Sequence, residues 1–346
     1  MTKAALSVPE LLLHRAETTK AVLERLRGAF ETYELTDDRH PNITIYATGS
    51  LGRHEIATRS DLDVFLVDTA PSSLERLANL EQIQLLSDLI RASSDANFRD
   101  FSRDGEYLKV HPSSELVRFV GTREDDPTNV FTARMLLLLE SQVLLGGPAY
   151  ERCVGEVLDV YSRDANGESF RPVFLINDIV RYWKTLCLNY EARRHEYHRA
   201  RRYASAEGKV GDFEELKADL RVALLKLQFN RLWTCFNGLA YLLAGVQERQ
   251  VARSHIERLV ELSPVQRASS LVDVVPDCQA PMERALDAYA VFLDATDRER
   301  EDVRAAVSDK EGFKEMRACA EVFALAIEEV IDLLGTRSDL GRFLLL

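Results

Sequence analysis

The hydrophobic pattern changes its period part of the way along the chain, and this change constrains the fold more than any other feature. As far as about Gly121, short stretches rich in β-branched and aromatic residues alternate with stretches of helical spacing. After Pro127 almost every apolar residue recurs at helical spacing. A chain of 346 residues is long enough for two hydrophobic cores. We therefore predict an α+β domain, a small mixed sheet with flanking helices, over residues 1–125, and an all-α domain over residues 126–346.

The first part is expected to contain two helices and up to four strands. Apolar spacing predicts helices over 9–33 and 71–92, the second with Ser72 or Ser73 as its N-cap. Strands are predicted at 43–48, 62–68 and 105–111, with a fourth at 115–121. In the second part a helix over 129–145 is expected to end at a Gly-Gly-Pro break, and further helices are predicted at 173–204, 213–243, 250–262, 282–293 and 313–334.

Two aspartates lie at the start of the second predicted strand, one directly before it and one within it. Asp61 and Asp63 are two residues apart, so in a strand both side chains point away from the side on which Leu62 lies. Neighbouring carboxylates repel each other unless a cation lies between them. Upstream, Gly49 and Ser50 form a predicted tight turn whose backbone N–H groups and hydroxyl suit phosphate oxygens. Such a turn beside a carboxylate pair that suits Mg²⁺ is typical of nucleotidyl or phosphoryl transfer.

These residues carry a family resemblance. The segment GSLGRHEIATRSDLDVFLV, residues 49–67, resembles the signature of the DNA polymerase β-type nucleotidyltransferase superfamily. More narrowly, GSLGRHE followed by SDLD is similar to the amino-terminal domain of bacterial PII uridylyltransferases, except that His54 stands where those enzymes commonly have glycine. FTARMLLLLESQVLLGG, residues 131–147, is similar to the helix that follows that domain, so the resemblance covers roughly residues 43–147.

The resemblance extends in part to the second half of the chain. FLINDIVRYWKTLCLNYE, residues 174–191, is similar to a segment of bacterial nucleotidyltransferases that have a helical second domain. The hydrolase domain of the PII enzymes needs a His-Asp dipeptide, and the chain contains none. A bifunctional PII-modifying enzyme is therefore not expected.

The resemblance implies roles for the residues of the motif. Gly49 and Ser50 would hold a triphosphate, and Asp61 and Asp63 would ligate magnesium. Ser60, which directly precedes the aspartates, is a further candidate for nucleotide binding.

A third carboxylate on an adjacent strand would complete such a site and help to deprotonate the acceptor hydroxyl. Glu106, in the third predicted strand, is our first candidate, and Glu115, in the fourth, is the second. A different register would place Lys109 there and weaken or abolish metal-dependent chemistry. Arg53 either contacts a phosphate or pairs with Glu55 in a surface salt bridge.

The helical half contains a basic segment in an acidic chain. Its tyrosines and Trp183 could stack on bases if the segment binds nucleotide phosphates or an RNA acceptor, whereas a solvated helix face is the interpretation we favour for residues 199–202. Between residues 181 and 209 only three glutamates oppose eight basic residues, namely Arg181, Lys184, Arg193, Arg194, Arg199, Arg201, Arg202 and Lys209.

Two basic residues of the predicted helices are candidates for nucleotide binding. Arg181 lies three residues after Asp178, so the two side chains should meet on one helix face. Lys226 shares a predicted helix face with Asn230, and it either contacts a phosphate or forms a structural ion pair.

Composition and missing motifs argue against several classes of protein. The net charge of -12 disfavours a protein that coats nucleic acid non-specifically. The five cysteines are scattered without a Cys-x-x-Cys pair, so we expect no disulfide framework, no zinc knuckle and a reduced, cytoplasmic location. No targeting signal, membrane span, P-loop or DNA-binding motif is expected. His111 has no second histidine at ligand spacing and is interpreted as a packing residue.

Motif and resemblance together predict an Mg²⁺-dependent nucleotidyltransferase that uses two Mg²⁺ ions. It would move an NMP from a nucleoside triphosphate to an acceptor hydroxyl and release pyrophosphate. The acceptor would be a protein side chain, an RNA end such as that of a tRNA, a small molecule or a second nucleotide. The alternatives are a non-catalytic nucleotide sensor or interaction module that kept the fold, and a toxin that modifies tRNA.

Overall fold

The structure, a computed structural model, describes residues 6–57, 60–98, 101, 105, 108–163, 165, 169–206 and 213–338. The chain divides into two compact units. We call Leu12–Pro172 with Gln250–Ser263 the sheet unit, and Met1–Leu11 with Val173–Arg249 and Pro264–Leu346 the helical unit.

In chain order the described strands are β1 (Ile43–Ala47), β2 (Val64–Asp68), β3 (Val110–Pro112), β4 (Gln142–Leu145), β5 (Ser169–Phe170) and β6 (Val251–Ala252). The described helices are α1 (Glu10–Thr32), α2 (Gly49–Gly52), α3 (Asn79–Asp95), α4 (Ser113–Arg118), α5 (Val130–Leu139), α6 (Gly147–Tyr161), α7 (Val173–Ala206), α8 (Phe213–Lys226), α9 (Leu232–Ala244), α10 (Arg253–Glu261), α11 (Pro264–Val274), α12 (Gln279–Thr296), α13 (Arg300–Ser308) and α14 (Lys310–Ser338). A π-helical turn, Leu227–Arg231, joins α8 to α9, and a 3₁₀ turn, Pro276–Cys278, precedes α12.

The main sheet of the sheet unit has the strand order β3-β2-β1-β4. β1 is antiparallel to both β2 and β4, whereas β2 and β3 are parallel, so the sheet is mixed. Ala47 at the end of β1 pairs with Val64 at the start of β2. The residues that follow β1 and those that precede β2 therefore lie at the same edge of the sheet.

Both faces of the central strands are covered. Alternate residues of β1 and β2, including Ile45 and Leu66, belong to one core with apolar residues of α1 and α3. On the opposite face, Tyr46 stacks on Phe65 with ring centroids 5.7 Å apart, and its hydroxyl donates to the Ala133 carbonyl of α5. Burial on both faces explains why β1 and β2 are nearly continuous apolar runs. The expected α+β class, with a small mixed sheet, is confirmed.

Two expected elements differ in the structure. The helix predicted over 129–145 ends at Leu139, and β4 follows, with Val143 paired to Tyr46 of β1. A continuous apolar run has no period that separates a buried helix from a buried strand, so the pattern did not show this change. Through β4 and α6, the sheet unit extends beyond the predicted boundary at residue 125, as far as Pro172.

The strand predicted at 115–121 is wrong, because this stretch begins with helix α4. Glu115 in the first turn favours a helix there, and Leu116 is fully buried within α4. The helix predicted over 71–92 is confirmed as α3 but begins at Asn79. Glu81 accepts a hydrogen bond from the Ala78 N–H at its start, in place of the capping serine that we expected.

The helical unit is built around an aromatic core. Phe229 of the π-helical turn stacks on Phe292 of α12 with centroids 4.4 Å apart, and Phe323 of α14 and Trp233 of α9 complete the cluster. The helical character expected for the second part is confirmed for most of its described residues. Among the helices that the structure describes, none combines the length and the apolar character needed to traverse a bilayer.

Candidate functional site

The Gly-Ser turn and the second aspartate of the pair lie against each other at one edge of the sheet. The Thr48 N–H donates to the Asp63 carbonyl at 2.9 Å and holds the two chain segments together. Gly49 has a φ of +64°, and a Cβ at this position would overlap the Asp63 carboxylate at Oδ2. The left-handed backbone strongly favours glycine at this position, and any larger residue would also displace the Asp63 carboxylate.

The two aspartates point away from the core, as their spacing predicts. Leu62 and Val64 are buried in the core beneath α1 and α3, whereas Asp61 is exposed and Asp63 is half-buried. Leu62 also forms a parallel bridge with Phe101. The aspartates thus directly precede β2, on the outer side of a segment whose inner side is fixed by packing.

A buried cluster of three charged residues, Arg53, Glu55 and Glu140, holds the turn in place. Arg53 is 5% exposed; its Nε donates to Glu55 at 2.7 Å and its Nη1 to Glu140 at 2.8 Å. The other Glu140 oxygen accepts the Gly49 N–H at 3.1 Å. Of the two alternatives for Arg53, the structure contains the pairing with Glu55, but as a buried pair and not at the surface. Contact of Arg53 with a phosphate stays a prediction. Close packing requires Gly52, where a Cβ would overlap the Glu140 carbonyl.

This cluster engages two of the hydrogen-bond donors that were candidates for binding a phosphate. The Gly49 N–H, which we expected to be available for phosphate, is bound to Glu140, and the Arg53 guanidinium is enclosed by two carboxylates. Ser50 is half-exposed, and no hydrogen bond within the described residues engages its N–H or its hydroxyl. Ser50 is therefore the part of the turn that can donate to a ligand.

Sequence reasoning missed Glu140. The one signal is a single acidic residue at the end of the apolar run MLLLLE, and its partners lie 87 and 91 positions earlier in the chain. A lone charge directly after a buried helix needs a buried partner, which is the argument that would have singled it out.

Ser60 shapes the backbone before the aspartates. Its hydroxyl accepts the Ala57 N–H at 2.9 Å, and its own N–H donates to the Ala57 carbonyl at 3.3 Å. These two bonds hold the backbone directly before Asp61. The predicted contact of Ser60 with a nucleotide stays a prediction.

The three candidates for the position of the third carboxylate are separated by topology. Glu106 lies outside the described residues. Glu115 follows β3, whose end pairs with Asp68 at the far end of β2, about 16 Å along the strand from the aspartates. Lys109 directly precedes β3, and its Nζ donates to the Thr128 carbonyl at 3.0 Å. β3 thus leads to Glu115 at the opposite end of β2 from the aspartates, and Glu106 stays our first candidate.

The two basic candidates of the second half belong to the helical unit. Arg181 and Asp178 approach to 3.6 Å on α7, as their spacing predicts. Lys226 is the exposed last residue of α8, and Asn230, in the π-helical turn, donates to the Tyr289 hydroxyl at 3.0 Å. The roles of Arg181 and Lys226 in nucleotide binding stay predictions.

His111 is a packing residue in this structure. It is buried on β3 with its ring 6.1 Å from that of Phe65. Burial, reinforced by the charge of Lys109, lowers the pKa of His111 to about 4, so the ring is neutral near pH 7.

In comparisons of sequence and structure, no protein-family model, curated protein or solved structure matches the chain. The family resemblance therefore stays a hypothesis from the sequence, and the site is interpreted from its own geometry.

Proposed function

We propose that the chain is an Mg²⁺-dependent nucleotidyltransferase whose sheet unit is a polymerase β-like domain. It moves an NMP from a nucleoside triphosphate to an acceptor hydroxyl and releases pyrophosphate. The observation that carries this proposal is the contact between the Gly49 turn and the Asp63 carboxylate. Ser50, which is half-exposed, follows Gly49 in this turn. A hydroxyl donor and two outward-facing carboxylates, Asp61 and Asp63, are thus close to one another in the chain's fold.

The carboxylate pair fits magnesium. Mg²⁺ commonly binds through one or two carboxylates together with substrate phosphates, and Asp61 and Asp63 offer such a pair at an accessible edge of the sheet. A bound metal would neutralise negative charge on the phosphates during transfer. Glu106 is proposed as a third ligand.

The residues of this chain would contribute mainly positioning. Ser50 would donate to a phosphate oxygen, and Gly49 lets the Asp63 carboxylate lie against the same turn. Glu140 and Arg53 would hold the turn in place, so that no reorganisation is needed when the triphosphate binds.

The test is titration calorimetry of ATP, GTP, CTP and UTP with Mg²⁺, with pyrophosphate release followed in the same samples. We expect Asp61→Asn/Asp63→Asn to lower the affinity at least about tenfold and to abolish release, because Mg²⁺ would lose its protein ligands. The control is Asp287→Asn/Asp294→Asn, which removes two exposed carboxylates of α12 and should leave both readouts unchanged. A wild-type protein that binds none of the four nucleotides would contradict the proposal.

Glu106→Gln separates an enzyme from a nucleotide sensor. If Glu106 helps to deprotonate the acceptor, the variant should bind the nucleotide but release pyrophosphate at least about a hundredfold more slowly. Unchanged release would remove Glu106 from the site. Wild-type binding without release, whichever class of acceptor is added, would support the sensor instead.

A further inference from the structure

From Arg181 onward, α7 carries positive charge in an acidic chain. Residues 181–202 include seven arginines and lysines and two glutamates, which gives them +5, whereas the whole chain carries -12. The remainder of the chain therefore sums to -17. Repulsion from this remainder directs anions away from most of the surface and leaves α7 as a local site of attraction.

The positive charge lies on a helix surface that is open to solvent. From Glu191 to Arg202 every residue except the half-buried Tyr197 is exposed. One stripe at helical spacing, which we call the α7 stripe, follows the outer side of this helix over about 27 Å. It consists of Lys184, Leu188, Glu191, His195, Arg199 and Arg202.

The arginines of this segment are only partly neutralised. Glu191, the acidic residue of the α7 stripe, is paired with Arg194 at 2.9 Å. Within the part of the chain that the structure describes, no ion pair involves Arg193, Arg199 or Arg202. Guanidinium groups without carboxylate partners are available to bind an anion on this surface.

We propose that the α7 stripe binds single-stranded RNA. The residues from 189 to 202 include five arginines and no lysine, and the planar guanidinium fork matches phosphate oxygens better than lysine does. The exposed imidazole of His195, on the stripe, offers a ring on which a base can stack, whereas the ring of His198 packs edge-on against Tyr197. Residues 199–202, for which we favoured a solvated helix face, would then be part of the RNA-binding surface.

Of the four aromatic residues that the sequence suggested for stacking, Tyr190 and Tyr197 are half-buried. Tyr182 is buried and Trp183 packs edge-on against Phe236, so neither is free to stack on a base. Under the proposed function the RNA would be the acceptor; that assignment rests on the proposed function, whereas binding to the α7 stripe does not.

The experiment is fluorescence anisotropy of a short labelled single-stranded RNA with the full chain, at salt concentrations from about 50 to 200 mM. We expect Arg199→Glu/Arg202→Glu to weaken binding at least about tenfold at the lowest salt. The dependence of log affinity on log salt should become shallower by about 1.4, because each lost contact with a single-strand phosphate removes about 0.7. The control, Arg258→Glu/Arg298→Glu, makes the same charge change at exposed arginines outside α7 and should stay within about twofold of wild type.

Three outcomes would overturn the inference: no RNA binding by the wild type, equal losses in both charge-reversal variants, or competition by poly-glutamate as effective as that by unlabelled RNA. The last outcome would indicate an acidic protein partner. Asp61→Asn/Asp63→Asn should bind RNA as the wild type does. A chain that binds RNA but no nucleotide would thus contradict only the proposed function, and a chain that binds nucleotide but no RNA only this inference.

Discussion

At the scale of single residues, Glu140 connects the interior of the sheet unit to the proposed site. Its two oxygens bind the Gly49 N–H and the Arg53 guanidinium, and all three groups are buried. A buried charge that loses its partner destabilises a protein far more than an exposed pair does. The geometry of the turn therefore depends on a carboxylate that need not touch a substrate.

Replacing Glu140 should lower the stability of the protein according to how many of its hydrogen bonds are lost. Glu140→Ala leaves Arg53 with one carboxylate fewer and the Gly49 N–H without its acceptor, which we expect to lower the free energy of unfolding by about 3–5 kcal/mol. Glu140→Gln keeps one acceptor oxygen and should lower the free energy of unfolding by only about 1–3 kcal/mol. Urea unfolding measures both. Glu151→Ala, at an exposed position of α6, is the control and should change stability by less than about 0.5 kcal/mol. Equal effects of the two alanine variants would refute this role.

Gly49 allows a test of the close approach itself. Gly49→Ala places a side chain on a left-handed backbone and against the Asp63 carboxylate. We therefore expect the free energy of unfolding to fall by about 1–3 kcal/mol, and Mg²⁺ and nucleotide to bind more weakly. Gly28→Ala adds a methyl group to an exposed position within α1 where nothing lies within 4 Å, and it should stabilise the protein by about 0.5–1 kcal/mol. A Gly49→Ala variant as stable as the wild type, with unchanged nucleotide affinity, would contradict the argument.

At the scale of elements, one arginine joins three helices of the sheet unit. Arg134 of α5 is fully buried; it forms two hydrogen bonds with Asp125, at 2.9 and 2.8 Å, and one each with the Tyr161 hydroxyl of α6 and the Leu116 carbonyl of α4. Burial alone would lower the pKa of Arg134, but the interactions with Asp125 and Tyr161 together outweigh it and raise the pKa overall. These helices are thus held by a polar connection within an apolar layer.

This connection predicts a non-additive pair of substitutions. Asp125→Leu should lower the free energy of unfolding by about 3–5 kcal/mol, because it leaves a buried guanidinium without its carboxylate. Asp125→Leu/Arg134→Met removes both charges and should be more stable than the single variant. Urea unfolding of the two variants gives the comparison, and a double variant that is less stable than Asp125→Leu would contradict it.

At the scale of the whole molecule, the sheet unit is assembled from two separate stretches of chain. β5 pairs with β6 through Ser169 and Ala252, which are 83 positions apart in sequence. Arg253 of α10 pairs with Asp159 of α6 and also donates to the Gly155 carbonyl at 3.2 Å. Residues 250–263 therefore complete a unit whose other elements lie before residue 173.

Fragments should reveal this assembly. Residues 1–125 lack α5, β4 and Glu140, and we expect this fragment to give no cooperative urea transition. Residues 12–172 should fold weakly, and they should gain stability when residues 250–263 are appended through a flexible linker, because β6 and α10 are then supplied within one chain. Circular dichroism during urea titration would show both effects. A cooperative transition for residues 1–125 would mean that the sheet does not need β4.

Local sequence by itself determined the features that depend on neighbours along the chain. The periodicity predicted α1, α7 and the long α8–α9 region, and the bounds agree within a few residues because a helix face repeats over short distances. The spacing of Asp61 and Asp63 likewise showed which way they point, since alternation in an extended chain needs no distant partner.

Only the tertiary structure decided the features that depend on distant partners. β4 is a strand because it pairs with β1. The buried Arg53 guanidinium is bound by its neighbour Glu55 and also by Glu140, 87 positions later. The same carboxylate binds the Gly49 N–H across 91 positions. No local pattern encodes such pairings, because the energy of a buried charge is set by the groups that surround it in space and not by its neighbours in sequence.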